Sequence, residues 1–379
     1  MYLKKIPFSA LLLLFVCSVT AQNNLPLKYK RSTVYAGIEV GSKGVKMSLV
    51  ELARKASDEN SFNILKDTSV NTDFISFTPE TFSNTVDAFY NLYETGLNKY
   101  NIPSDRIFTV ISSGVKVSAD KEEKGQWITN LIDSFKLRVN DKSRVVDVIT
   151  PDEEARLSHL GIVPESKRFT TFLIDIGSGN TKGGYFPNMN TDKIKLFTLS
   201  WGTKSISNAT EKRLDDDKSM SNFYKQLQRV LAGEADKEIT YAVNVSGAYN
   251  MSDNVAFSGG AAWATANLMF PELVNDPVIT VTYEQVENFN KKLYEDYEAF
   301  SEKSILNNLS KDNPDRNEIA SAVKTVNKVF DQKAMLSGSG LLLKIMRQFD
   351  GVKDRKQFYL VKNGQVGWIS AYVNKNSGR

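Results

Sequence analysis

Residues 38–46 read Ile38-Glu39-Val40-Gly41-Ser42-Lys43-Gly44-Val45-Lys46, and residues 174–182 read Ile174-Asp175-Ile176-Gly177-Ser178-Gly179-Asn180-Thr181-Lys182. Ile, Gly, Ser and Lys stand at matching places in the two stretches, and an acid follows the first isoleucine in both. Alternating β-branched and apolar residues flank each glycine turn, so each copy predicts a hairpin. The first runs from a strand at 33–40 to a strand at 45–52. Two unrelated hairpins that share turn residues are the plain alternative. Four identities plus a repeated acid within nine positions favour duplication of one structural unit.

A turn of this kind has a direct chemistry. Glycine lets backbone N–H groups approach a ligand closely, and successive N–H groups form a concavity for anions. Ser and Thr hydroxyls add donors. Two such turns facing each other would cradle phosphate, with Gly41, Ser42, Lys43 and Gly44 on one side. Gly177, Ser178, Gly179, Asn180, Thr181 and Lys182 would form the other. A third glycine site, Ser258-Gly259-Gly260, follows a predicted strand at 255–257 and precedes a helix from Ala261 through Leu268. That order sets a helix N-terminus at a strand end, where anions bind; a Gly-Gly turn chosen for tight packing is the alternative. A fourth, Ser337-Gly338-Ser339-Gly340, has the same form.

Between the hairpins, apolar spacing predicts helices over 79–100 and 123–137 and short strands at 107–112 and 145–149. Thr150-Pro151-Asp152-Glu153 is a helix start, with a capping Thr, Pro at the first helical position and Glu completing a capping box. That helix runs to about Gly161 and places Glu154 in its first turn. A loop at 163–168 then marks the boundary between two lobes, 33–165 and 166–379. A strand at 169–176 opens the second. Helical stretches follow over 283–307 and 317–332, and a final strand falls within 357–373.

The chain has 379 residues, 41% of them hydrophobic, which suits about two domains. A net charge of +4 carries no nucleic-acid signature. Lys4 and Lys5, the apolar run Ile6–Val16 and Val19-Thr20-Ala21 form the layout of a secretory signal over 1–21, followed by a linker over 22–32. The expected location is therefore periplasmic or extracellular, with no membrane span once the signal is cleaved. Cys17, the only cysteine, lies inside that signal, so the fold rests on its core without disulfides. His159, the only histidine, excludes a His-rich zinc site and reads as a structural or surface residue.

With these pieces in place, the chain resembles the exopolyphosphatase/guanosine-pentaphosphate phosphatase family of the actin/Hsp70/sugar-kinase superfamily. Glu39-Val40-Gly41-Ser42 and Asp175-Ile176-Gly177-Ser178-Gly179-Asn180-Thr181 are similar to its two phosphate loops. Ser112-Ser113-Gly114-Val115-Lys116 is similar to its T-S-A-x-R segment, and Asp152–Leu157 with Gly161 to its E-E-A-R-L…G helix. Ser200–Lys204 and Gly259-Gly260-Ala261 are looser matches. The resemblance implies an α/β fold of two duplicated ribonuclease-H-like (actin-like ATPase) lobes with a cleft between them. It implies Glu154 as the carboxylate that orients attacking water, Lys116 as a phosphate contact, and Mg2+ on the acidic side with Glu39 and Asp175 as ligands. It also admits a homodimer.

The sequence departs from that pattern where charge matters. Lys182 stands where the family ends its second loop in glutamate, Glu39 replaces aspartate, and Lys116 replaces arginine. At about 5 Å and an effective dielectric near 20, a dication beside Lys182 meets roughly 6–7 kcal/mol of repulsion in place of attraction. Lys43, Lys46, Lys116 and Lys182 together make the cleft basic unless Lys46 and Lys182 point to solvent. A lysine can itself neutralise phosphate oxygens as a point charge. Hydrolysis of polyphosphate or another phosphoanhydride is the leading expectation. A non-catalytic polyanion binder is the second and an ATP-dependent kinase the third.

Overall fold

The computed structural model describes residues 25–42, 44–53, 62–247, 252–349, 356–362 and 364–378. The signal segment 1–21, the first residues of the linker and Lys43 lie outside the described residues. The part of the linker that is described is tied down: the backbone N–H groups of Lys28 and Tyr29 donate to the buried Glu51 carboxylate at 2.8 and 2.9 Å. Among the described residues no helix is long and apolar enough to cross a membrane.

Two sheets carry the chain. The first is ordered β3-β2-β1-β4-β5, from Ser32–Val40 (β1), Gly44–Ala53 (β2), Phe62–Asn71 (β3), Ile107–Ile111 (β4) and Val146–Val148 (β5). The second is ordered β10-β11-β9-β6-β7-β8, from Thr171–Ile176 (β6), Thr181–Tyr185 (β7), Lys195–Leu199 (β8), Asn254–Ser258 (β9), Val278–Val281 (β10) and Gln357–Val361 (β11). In each sheet three antiparallel strands lead, and the first of them then pairs in parallel with a strand reached by a helical crossover. The shared order is the duplication that the two glycine turns predict. Register carries it to single residues: Glu39 lies opposite Lys46, and Asp175 lies opposite Lys182.

The first lobe buries Phe89, Leu131 and Phe135 between its sheet and two helices, Pro79–Glu94 (α1) and Gly125–Arg138 (α3), with Phe89 and Phe135 stacked at 3.8 Å. The short helix Ser113–Lys121 (α2) follows β4, and Pro151–Ile162 (α4) follows β5. Thr150 caps α4 by accepting the Glu153 N–H, as its sequence predicts, but Glu153 does not complete the expected capping box, because its carboxylate pairs with Arg156 and Lys375. The second lobe packs the helices Thr203–Glu211 (α5), Gly259–Met269 (α6) and Gln332–Arg347 (α7) around its own apolar core.

The fourth glycine motif is corrected here. Ser337-Gly338-Ser339-Gly340 is no turn; it is the buried middle of α7. A methyl group on Gly338 would stand 3.0 Å from the Ala261 Cβ, and one on Gly340 2.8 Å from a Leu231 methyl. These small residues set helix–helix distance, not an anion site. The final strand, Gln357–Val361, lies within the expected 357–373, and an unanticipated helix, Gly364–Asn376 (α8), follows it. Its Trp368, Ile369 and Tyr372 pack on Val110, Ile149 and Leu157 of the first lobe, and Ile369 and Val373 close over Gly37 of β1. The chain therefore returns from the second sheet to cover the first. A helix covered on several sides shows no single apolar stripe, which is why its period is not legible. Helices α4 and α8 touch backbone to backbone, since a Cβ on Gly161 would fall 2.0 Å from the Gly367 carbonyl oxygen.

Candidate active site between the lobes

Each glycine turn is closed by the same backbone bond. The Gly41 N–H donates to the Gly44 carbonyl at 2.8 Å, and the Gly177 N–H donates to the Asn180 carbonyl at 3.0 Å. In the second turn the carbonyls are claimed from outside: the Thr203 N–H reaches the Gly177 oxygen at 3.0 Å and the Lys204 N–H reaches the Ser178 oxygen at 2.7 Å. The first turn of α5 thus holds the turn's acceptors. The amides of Ser178 and Gly179, at the exposed apex, take no partner among the described residues. Thr181 is spent differently from expectation, because its buried hydroxyl donates to the Trp201 carbonyl at 2.7 Å.

Glu154 is the point where the lobes meet. Only 3% exposed, it projects from the first turn of α4. One carboxylate oxygen accepts the Ser113 N–H at the start of α2 at 2.8 Å, and the other accepts from the Lys182 ammonium of β7. One donor comes from each lobe. The Ser42 hydroxyl lies beside Gly114, next to that same Ser113, so the first glycine turn borders the carboxylate's anchor. Burial acts to raise the Glu154 pKa, but the Lys182 charge and hydrogen bond and the Ser113 donors outweigh it, and the carboxyl is held below its ordinary range. For Lys182, burial acts to lower the pKa, and Glu154, Asp175 and Glu39 outweigh it upward.

The duplicated acids flank this pair. Burial pushes Glu39 up to about 7 and raises Asp175, with Lys46 and Lys182 opposing in both cases. The Ser258 hydroxyl donates to Asp175 at 3.2 Å. Gly259 sits directly beside it at φ +87°, where a Cβ would fall 2.4 Å from the Ile176 carbonyl and 2.6 Å from the Asp175 carboxylate. Only glycine suits both that backbone and that gap. The third glycine motif therefore packs the start of α6 against the acid of the second hairpin. Lys116 is not brought to the carboxylates; its ammonium pairs with Asp120 one turn along α2 at 2.6 Å. Lys182 is 12% exposed and faces Glu154 instead of solvent. The anchoring roles of Ser113 and Ser258 have no sequence signal beyond their places beside a glycine motif.

The family resemblance would set a divalent metal near Glu39 and Asp175, and the residues present do not fit one. Among the described residues no three His, Cys, Asp or Glu side chains converge as a metal-holding group. The ammonium of Lys182 is bonded to Glu154 and acts electrostatically on all three carboxylates.

His159 is fully buried on α4, donating from Nε2 to the Thr171 carbonyl at 2.9 Å with its ring against Phe186. Burial, with Arg168 nearby, pushes its pKa down to about 4. A depressed value means the unfolded chain binds the proton more readily, so this contribution to stability is present above pH 6.5 and lost as pH falls through 4. The loss is about 3 kcal/mol. Urea unfolding at pH 7 and pH 4 should show wild type losing that much more stability than His159→Gln over the interval. Equal losses would exclude a buried neutral imidazole.

No protein-family model matches the sequence, and no curated protein resembles it in sequence. Solved structures do resemble its fold. A Ppx/GppA phosphatase of Aquifex aeolicus, in its type II variant, is 17% identical with a TM-score of 0.58, over 89% of this chain and 99% of that one. Another structure of the Aquifex aeolicus family member is 16% identical with a TM-score of 0.59, over 91% and 99%. An exopolyphosphatase from Cytophaga hutchinsonii is 12% identical with a TM-score of 0.55, over 90% and 98%. The chain has the two-lobed actin-like architecture of these proteins along nearly its whole described length.

Proposed function

We propose that this chain is an exported member of the exopolyphosphatase/guanosine-pentaphosphate phosphatase family that hydrolyses phosphoanhydrides, with inorganic polyphosphate as its substrate class. The observation that carries this reading is the position of Glu154, a buried carboxylate held by one donor from each lobe between two matched glycine turns. Phosphoryl transfer needs little covalent help from a protein. It needs a positioned nucleophile, donors for the equatorial oxygens and compensation of developing charge. The free amides at Ser178 and Gly179 supply donors, Lys182 supplies charge, and Glu154 supplies a carboxylate to orient water. The ionised state of Glu154 suits orientation, and its lowered pKa makes it a modest proton acceptor. The names of the structural relatives favour the same chemistry, and the composition of residues 1–21 supports export.

The test is to incubate the chain lacking residues 1–21 with long-chain polyphosphate and to follow orthophosphate. Steady release that scales with protein concentration is expected. A second reading, a polyanion binder without turnover, is favoured by the ammonium that already engages Glu154. It predicts salt-sensitive polyphosphate binding and no release, and that result would displace the hydrolase reading.

A further inference from the structure

We infer that the Lys182 ammonium, bonded to Glu154 and standing opposite Asp175, is a built-in counter-cation, so that the site handles phosphate without a divalent metal. The inference rests on the hydrolase reading above for its catalytic half only; the charge replacement stands on geometry. Lys182 is the strand partner of Asp175 across the β6–β7 hairpin and at the same time bonds to Glu154 from the other lobe. Its side chain is 12% exposed and that of Glu154 is 4% exposed, so the cation is enclosed with its acids and not spread over a surface. The first lobe repeats the device, with Lys46 opposite Glu39. Each hairpin therefore sets a lysine opposite its acid in register, and a dication entering beside Glu154 would have to displace or face the Lys182 ammonium.

The same contact gives the lysine two positions of rest. Without substrate it lies on Glu154. A terminal phosphoryl group resting on the Ser178 and Gly179 amides offers the ammonium more negative charge than one carboxylate does, and moving onto it releases a Glu154 oxygen. Water then bonds through its oxygen to the terminal phosphorus as the bridging P–O bond breaks. The water proton passes to Glu154, the bond pair leaves with the shortened chain as a phosphate oxyanion, and orthophosphate is the other product. No oxidant or further reactant enters.

Two measurements decide the matter. Manganese(II) titration followed by electron paramagnetic resonance should show no tight site in the wild type at millimolar ion, and tighter ion uptake in Lys182→Met, where Glu154 and Asp175 have lost their cation. Polyphosphate hydrolysis by the wild type should change less than about twofold between chelator and magnesium. Lys182→Met should lose on the order of 10²-fold in chelator, the scale of removing one charge-stabilising group, and regain part of it with magnesium. Lys182→Arg keeps the charge, should stay chelator-resistant, and guards against a folding defect in Lys182→Met. Manganese binding by the wild type as tight as by Lys182→Met overturns the inference, as does wild-type activity abolished by chelator. If no variant releases phosphate under any condition, the hydrolase reading fails, and the manganese titration still decides the role of Lys182.

Discussion

Replacing Glu154 with glutamine should lower orthophosphate release from polyphosphate by about 10²–10⁴-fold, the range for removing a positioned acid–base group. Glutamine keeps the size and one carbonyl oxygen, so the Ser113 N–H retains an acceptor. What disappears is the negative charge that pairs with Lys182 and that we propose orients water. Binding of the polyanion should therefore be unchanged or tighter, because the ammonium is no longer shared. The discriminating measurement is kcat against KM together with a polyphosphate Kd. A drop in kcat with an unchanged or smaller Kd is expected. Unaltered kcat would remove Glu154 from the chemistry and leave the glycine turns as a binding cradle. Thermal unfolding must accompany the assay, since removing one partner of a buried ion pair can cost about 3–5 kcal/mol.

The second large effect concerns Gly161→Ala, whose sign is itself informative. In an exposed helix interior, alanine in place of glycine stabilises by about 0.5–1 kcal/mol. Here the new methyl would meet the Gly367 carbonyl oxygen at 2.0 Å, and the obstacle is backbone, not a side chain that can swing aside. Overpacking of this sort costs about 1–3 kcal/mol and sometimes more. Contact should defeat propensity, and the unfolding free energy should fall by about 3 kcal/mol in a denaturant titration. A more stable variant would mean that α4 and α8 can separate without penalty and that α8 does little to hold the lobes.

Much of this architecture is legible in the sequence because its punctuation is chemical. The turns at 41–44 and 177–180 need glycine for the approach of backbone to backbone, and Thr150-Pro151 states the start of α4 in capping groups. That start places Glu154 in the first turn, but its role as a candidate comes from the family resemblance and not from the turn itself. Other parts depend on neighbours that the sequence does not name. The polar edge strand β3 has mostly half-exposed and exposed residues, so no buried face marks it. Ser337–Gly340 carries the residues of a turn and serves as a helix contact, a choice made by Ala261 and Leu231. Lys182 could have faced water or the cleft; its partner lies 28 positions away on another lobe, and only the closed structure selects between the two. The same holds for the hydroxyl of Thr181, whose acceptor, Trp201, is 20 positions on.

Helix α8 has a consequence for how the protein is made. The Tyr372 hydroxyl donates to Asp147, 225 positions earlier. On the ribosome, β1 and β2 are synthesised long before the segment that roofs them, so the amino-terminal half cannot seal its oily outer surface while translation proceeds, contrary to the usual order in which leading domains finish first. That surface is covered only once Trp368, Ile369 and Tyr372 have been added.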